Sequence, residues 1–387
     1  MNMTIRRLLA VGAASALAAS LVPAAHAQDG AADGSVREAV ISSFEDPDFS
    51  GSSLDAALSS LSLVGSSEWS LPDFWRNPDP AYPLPLDETI KEVRLVSRKD
   101  DSRRERWTIA SPSMKRNVEV EIWRAAQPDV PAPMLYMLDG VDAPRNSGWL
   151  GSGTASEVFA EENVTLVMPT QAMASNYSDW VSDDPVLGRH QWETFIVEEL
   201  APLLEDPSNG LNFNGKRGIG GLSMGANGAV HLANAHPDMF QGVFGISGCY
   251  SPMSTIGRQM VSFLVTSRGG TLENMWGPYG SDGWERHDTA RHPEGLRDTA
   301  VYLSTANGNP TPAERDFYAG HSVDTLLVGG VLERGVLDCT RVLDDALKAD
   351  GKTDHVVHYK TSGAHNWIQF NEELQPAWEH IRPALTS

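Results

Sequence analysis

From about residue 93 onward, short apolar blocks are separated by amphipathic stretches. Val118, Val120 and Ile122 alternate with Glu119, Glu121 and Trp123, the period-two pattern of a half-exposed strand. Met134–Leu138 and Val164–Met168 are continuous apolar runs, as expected of parallel strands covered on both faces. Gln191–Leu204 reads as an amphipathic helix, Arg217–Leu222 as a strand, Ala226–Ala235 as a helix and Val243–Ile246 as a strand. Val301–Ser304 and His355–Tyr359 add strands, with helices near 332–350 and 371–385. Strands alternating with helices predict an α/β domain, with a mostly parallel sheet and helices on both faces.

The segments before this block have a different character. Arg6 and Arg7, the apolar stretch Leu8–Pro23 and Ala25-His26-Ala27 form the three parts of a signal peptide, so residues 1–27 are expected to be removed on export. Residues 28–90 are rich in Ser, Asp, Ala and Pro and read as a partly ordered extension, with Trp69, Phe74 and Trp75 available to dock on the body. The catalytic domain is then 91–387. The net charge of -21 becomes -23 once Arg6 and Arg7 are lost, which argues against nucleic acid or an anionic surface as partner. No later segment is apolar enough to span a membrane, and a monomer is expected. Cys249 and Cys339 are the only cysteines; in an oxidising compartment they suggest one disulfide.

Candidate chemistry starts at Gly221-Leu222-Ser223-Met224-Gly225. A G-x-S-x-G between an apolar strand and an Ala-rich helix is the setting of a nucleophile elbow in an α/β-hydrolase fold. The helix N-terminus and the Met224 N–H then face a developing oxyanion. A serine needs a base, and His365 in the loop after the last strand is the histidine best placed for it. The acid belongs between them in chain order. Glu333, Asp338, Asp324 and Asp316 qualify, and Glu333 leads because it opens the predicted helix. A second oxyanion donor is expected after an early strand, where Leu138-Asp139-Gly140-Val141 points to the Val141 N–H. This chemistry calls for no metal or cofactor.

A longer series of segments carries a family resemblance. Leu138-Asp139-Gly140, Asn146-Ser147-Gly148-Trp149, Tyr177-Ser178-Asp179-Trp180, Trp192-Glu193-Thr194-Phe195, Gly221-Leu222-Ser223-Met224, Met275-Trp276-Gly277-Pro278, Asn307-Gly308-Asn309-Pro310 and Gly363-Ala364-His365-Asn366-Trp367 occur in that order. Over about Asn117–Ala384 the chain resembles the mycoloyltransferases of mycolic-acid bacteria, the antigen 85 group and its corynebacterial relatives. The resemblance implies Glu333 as the acid, in a Leu332-Glu333 pair at the family's fixed distance before His365. It implies Val141 and Met224 as oxyanion donors, Asp139 as the acid bonding a sugar hydroxyl of trehalose, and Trp367 as the family's tryptophan after the histidine. The implied substrates are trehalose monomycolate and a second glycolipid or arabinogalactan, in the cell envelope of such a bacterium.

Two departures stand out. Asp142 occupies a place where antigen 85 enzymes carry Arg, so the chain is expected to lack a cation at the sugar site and to hold two like charges, Asp139 and Asp142, at the pocket mouth. Ala306 stands where the family has Cys. Ala143-Pro144-Arg145 fits the corynebacterial branch. Met253–Trp276, with Phe263, Leu264 and Val265, is a candidate helical cover over an acyl groove.

Overall fold

The computed structural model describes residues 81–319 and 323–386, so the leader-like segment, most of the extension and its Trp69, Phe74 and Trp75 lie outside it. Among the described residues, nine strands form one sheet: β1 Arg94–Asp101, β2 Arg104–Ser111, β3 Arg116–Trp123, β4 Ala132–Leu138, β5 Thr165–Pro169, β6 Phe213–Leu222, β7 Gly242–Ile246, β8 Ala300–Thr305 and β9 Val356–Tyr359. Their order is β1-β2-β3-β5-β4-β6-β7-β8-β9. The first three strands pair antiparallel, and β3 meets β5 antiparallel. From β5 through β4 to β9 every pairing is parallel. Five helices matter below: α1 Met224–Ala235, α2 Thr255–Thr266, α3 Pro312–Phe317, α4 Val323–Ala349 and α5 Trp367–Thr386.

The continuous apolar strands follow from burial on both faces. In β4, Met134, Tyr136 and Leu138 pack with Val230 and Leu232 of α1 and with Phe195. Leu135 and Met137 point the other way, against Phe370, Leu374, Trp378 and Ile381 of α5. Each face of one strand therefore meets a different helical layer, which is why the run shows no polar alternation. In β3 the alternating carboxylate is not solvated as the half-exposed reading requires. Glu121 is buried, with Arg104 and Arg106 each 2.6 Å from Oε1 and the Ser147 N–H 2.9 Å from Oε2.

Two boundaries differ from the sequence reading. Residues 81–90 already pack on the body: Tyr82 Oη accepts the Met173 N–H at 3.3 Å, and the Asp87 N–H donates to Lys115 O at 2.6 Å. The docked region thus begins before residue 91. Helix α4 starts well ahead of Val331, which places Glu333 inside the helix instead of at its opening. Gly329 and Gly330 are poor helix residues, but at Gly330 close approach demands one. A Cβ on Gly330 would lie 2.7 Å from Gly308 O, whereas one on Gly329 would meet His365 O at an ordinary 3.4 Å. The missing side chain at Gly330 lets α4 run against the loop at Gly308.

Candidate active site

Ser223 sits between β6 and α1 with φ 53° and ψ -121°, a strained backbone position costing about 1–3 kcal/mol that the surrounding structure must enforce. Its N–H is tied to Ile246 O at 2.9 Å. A Cβ on Gly225 would lie 2.3 Å from Leu138 O and 2.5 Å from Asp139 O. Only glycine there lets the first turn of α1 press on the end of β4. The loop after β4 consequently runs beside the nucleophile, with the Gly140 Cβ position 3.5 Å from Ser223 Cβ. Val141 and Met224 flank this junction, and Val141 is further fixed by its carbonyl, which accepts the Ala174 N–H at 2.9 Å.

Ser223, His365 and Glu333 come together although α1, α4 and the loop before α5 are far apart in sequence. His365 Nε2 is 2.8 Å from Ser223 Oγ, and Nδ1 is 2.8 Å from Glu333 Oε2. Glu333 is fully buried. Its other oxygen accepts the Ser247 hydroxyl at 2.8 Å, the Ala306 N–H at 2.8 Å and the Thr305 hydroxyl at 3.2 Å. These bonds hold the carboxylate while it orients the imidazole. Ala306 contributes through its backbone, so a thiol at that position is not needed for the contact.

The other candidate acids fall elsewhere. Asp338 pairs with Arg341 at 3.4 Å on the outer side of α4, and burial raises its pKa. Asp316 is exposed, and the side chain of Asp324 is outside the described residues. Ser247, which bonds Glu333 from the end of β7, escaped the sequence reading. A buried serine just after an apolar strand was the only signal available.

Cys249 and Cys339 form a disulfide with Cα atoms 4.8 Å apart. It joins the segment after β7 to α4, the same two elements that meet through Ser247 and Glu333. Thr340 Oγ1 adds a 3.3 Å bond to Gly248 O beside it.

The residues expected at the sugar site are arranged differently from their expectation. Asp139 is 1% exposed, and burial pushes its pKa up to about 7 against the opposing pull of the Ser147 hydroxyl and the Gly148 and Trp149 N–H groups. Gly148 lies between Asp139 and Trp367: a Cβ there would lie 2.4 Å from the indole and 3.0 Å from Asp139 Oδ1. Trp367 itself packs edge-on against Trp149 and Phe370, at 5.7 and 5.8 Å.

Asp142 does not form a like-charge pair with Asp139. Arg268, just past α2, donates to Asp142 Oδ1 from Nε at 3.1 Å and Nη2 at 2.8 Å. A cation is therefore present at this place, supplied from another element. Beside it, Val261 and Val265 of α2 are buried with Met275 and Trp276, and Val141 and Leu264 pack against them. The stretch expected to be a cover thus contacts the loop of the candidate oxyanion donor.

Glu193, His231 and His287 present ligand atoms to one another, as a metal site would. Arg286 Nη1 sits among them, 2.8 Å from Glu193 Oε2 and 3.4 and 3.5 Å from the two imidazole Nε2 atoms. Burial lowers the pKa of both histidines, so the guanidinium serves as the local positive charge. Among the described residues, no helix is long and apolar enough to cross a membrane.

Comparison with known proteins identifies the family and the fold. Residues 111–381 match the Esterase family model. The diacylglycerol acyltransferase/mycolyltransferase Ag85A of Mycobacterium leprae is 30% identical over 275 residues, 69% of this chain and 78% of that protein. Its counterpart from Mycobacterium tuberculosis is 28% identical over 286 residues, 72% and 80% of the two chains. Among solved structures, Mycobacterium tuberculosis MPT51 superposes with a TM-score of 0.61 at 22% identity, covering 76% of this chain and 99% of that one. The chain belongs to the Esterase family and to its antigen 85-type mycoloyltransferase group, and its fold is that of the α/β-hydrolases.

Proposed function

We propose that, within that family, this chain is an exported serine acyltransferase that moves a mycoloyl group from trehalose monomycolate to a second carbohydrate acceptor. The observation that carries the reading is the relay from Glu333 Oε2 through His365 to Ser223 Oγ, 2.8 Å at each step. His365 Nε2 takes the Ser223 proton as Oγ attacks the ester carbonyl. The N–H groups of Val141 and Met224 receive the oxyanion, each contributing roughly 3 kcal/mol to the transition state. The imidazolium then protonates the departing trehalose oxygen, leaving mycoloyl-Ser223. An acceptor hydroxyl attacks this ester through the same base and restores the serine. A second trehalose monomycolate as acceptor yields trehalose dimycolate; arabinogalactan yields a mycolated polysaccharide. Two half-reactions sharing one base imply ping-pong kinetics.

The second reading is a carboxylesterase that hydrolyses sugar or lipid esters, favoured by the broader Esterase match. It uses the same triad with water as the acceptor. Purified enzyme incubated with trehalose monomycolate separates the two, with products resolved by lipid chromatography. Trehalose dimycolate as the main product supports transfer; free mycolic acid alone supports hydrolysis. Ser223→Ala is expected to abolish either reaction, and a fluorophosphonate is expected to label Ser223. The signal-like leader supports an exported enzyme acting in the cell envelope, outside the cytoplasmic membrane.

A further inference from the structure

The loop that carries His365 is tethered on every side. The His365 N–H donates to Gly329 O of α4 at 3.0 Å, and the Gly363 N–H donates to Asn309 O at 2.7 Å. The two residues flanking the base share a single acceptor. Glu314 Oε1 takes the Ala364 N–H at 2.9 Å and the Asn366 side-chain amide at 2.8 Å. Its Oε2 takes the Thr311 N–H at 2.6 Å, while Thr311 Oγ1 takes the Glu314 N–H at 3.2 Å. Glu314 is 1% exposed, so no water competes for these bonds. Asn366 also accepts the Ile368 N–H at 2.9 Å, which links this anchor to the first turn of α5.

We infer that Glu314 is a positioning residue for the proposed base, holding Ala364 and Asn366 so that the imidazole between them stays in line with Ser223 and Glu333. The inference rests on the triad reading above. A carboxylate suits the task because it is acceptor-only, and three N–H groups converge on it from two loops. Glutamine keeps the shape but turns an amide N–H toward at least one of those donors. Displacing a catalytic group by about an ångström costs on the order of a hundredfold in rate.

Glu314→Gln is expected to lower kcat for a chromogenic ester roughly 10- to 100-fold. KM is expected to change by less than about twofold, because Glu314 is 1% exposed and bonds the residues beside the base instead of facing solvent. Phosphonylation of Ser223, which needs the same base, is expected to slow in proportion. Asn366→Ala removes one of the same contacts, so the double variant is expected to be far less than additive. A Glu314→Gln enzyme with a lowered Tm but wild-type kcat and phosphonylation would mark Glu314 as a structural brace and overturn the inference. If that variant does not fold, unchanged kcat in Asn366→Ala overturns it instead. Residual turnover in Ser223→Ala marks a failure of the triad reading itself. An inactive Ser223→Ala beside a fully active Glu314→Gln marks failure of the positioning role alone.

Discussion

Arg268 donates through both Nε and Nη2 to a single oxygen of Asp142, at 3.1 and 2.8 Å. The guanidinium side chain is 2% exposed and the carboxylate 42%. Asp142 follows Val141 directly, so this pair joins the end of α2 to the candidate oxyanion loop. Burial lowers the Arg268 pKa, and the adjacent Asp142 carboxylate opposes that shift.

Asp142→Asn is therefore expected to disturb the acceptor side more than the chemical step. Acceptor KM should rise several-fold, with kcat within about twofold, because the nucleophile and base are untouched. Leaving a buried guanidinium less well paired should also cost about 1–2 kcal/mol of stability, discounted because Asp142 is half exposed. Acceptor saturation curves and thermal melts on one preparation check both parts. Normal acceptor saturation would show that Asp142 acts only as a partner for Arg268.

Glu333→Gln should reduce turnover by roughly 10³–10⁴, since the imidazolium loses both its counter-charge and its tautomer lock. Asp338→Asn should stay within about twofold, because Asp338 faces Arg341 and not the histidine. Steady-state kinetics on the two variants decide the matter. The opposite ranking would displace the acid from α4's inner face.

The Cys249–Cys339 bond closes a loop of 90 residues in sequence. Serine at both positions should lower stability by roughly 2–4 kcal/mol and loosen α4 near Glu333. Denaturant unfolding of the double variant measures the first effect. Non-reducing peptide mapping of exported protein tests the bond itself, and two free thiols there would refute it.

Asp139 carries a signature in the pH dependence of stability. Burial raises its folded pKa to about 7 from an ordinary value of 3.8. Below the ordinary value both states are protonated and the group costs nothing. As pH rises the unfolded state ionises first, so stability is lost progressively until pH passes the folded value near 7. The whole effect is at most about 4 kcal/mol. Asp139→Asn cannot ionise, so its Tm relative to wild type should climb between pH 5 and pH 8. A constant difference across that range would mean that Asp139 is ionised in the folded protein.

The sequence by itself determined the strand–helix alternation, the elbow at Ser223 and the loop histidine, because each rests on local rules. Apolar runs such as Met134–Leu138 signal strands covered on both faces, and the strand–glycine–serine–glycine–helix succession has few other uses. The acid illustrates the limit. Periodicity along α4 does not tell which acidic residue faces His365. Asp338 lies five residues beyond Glu333, about 140° further around a helix of 3.6 residues per turn, and so points away. The tertiary structure made that choice, and family resemblance anticipated it. Ser247, Glu314 and Arg268 had no comparable signal. Their residue types are common, and the groups they bond lie 86, 50 and 126 positions away. Side-chain direction in a loop depends on what packs against it, which only the folded chain supplies. The same reason explains Asp142: its neighbour in sequence suggested an excess of negative charge, and a guanidinium from the end of α2 supplied the compensation.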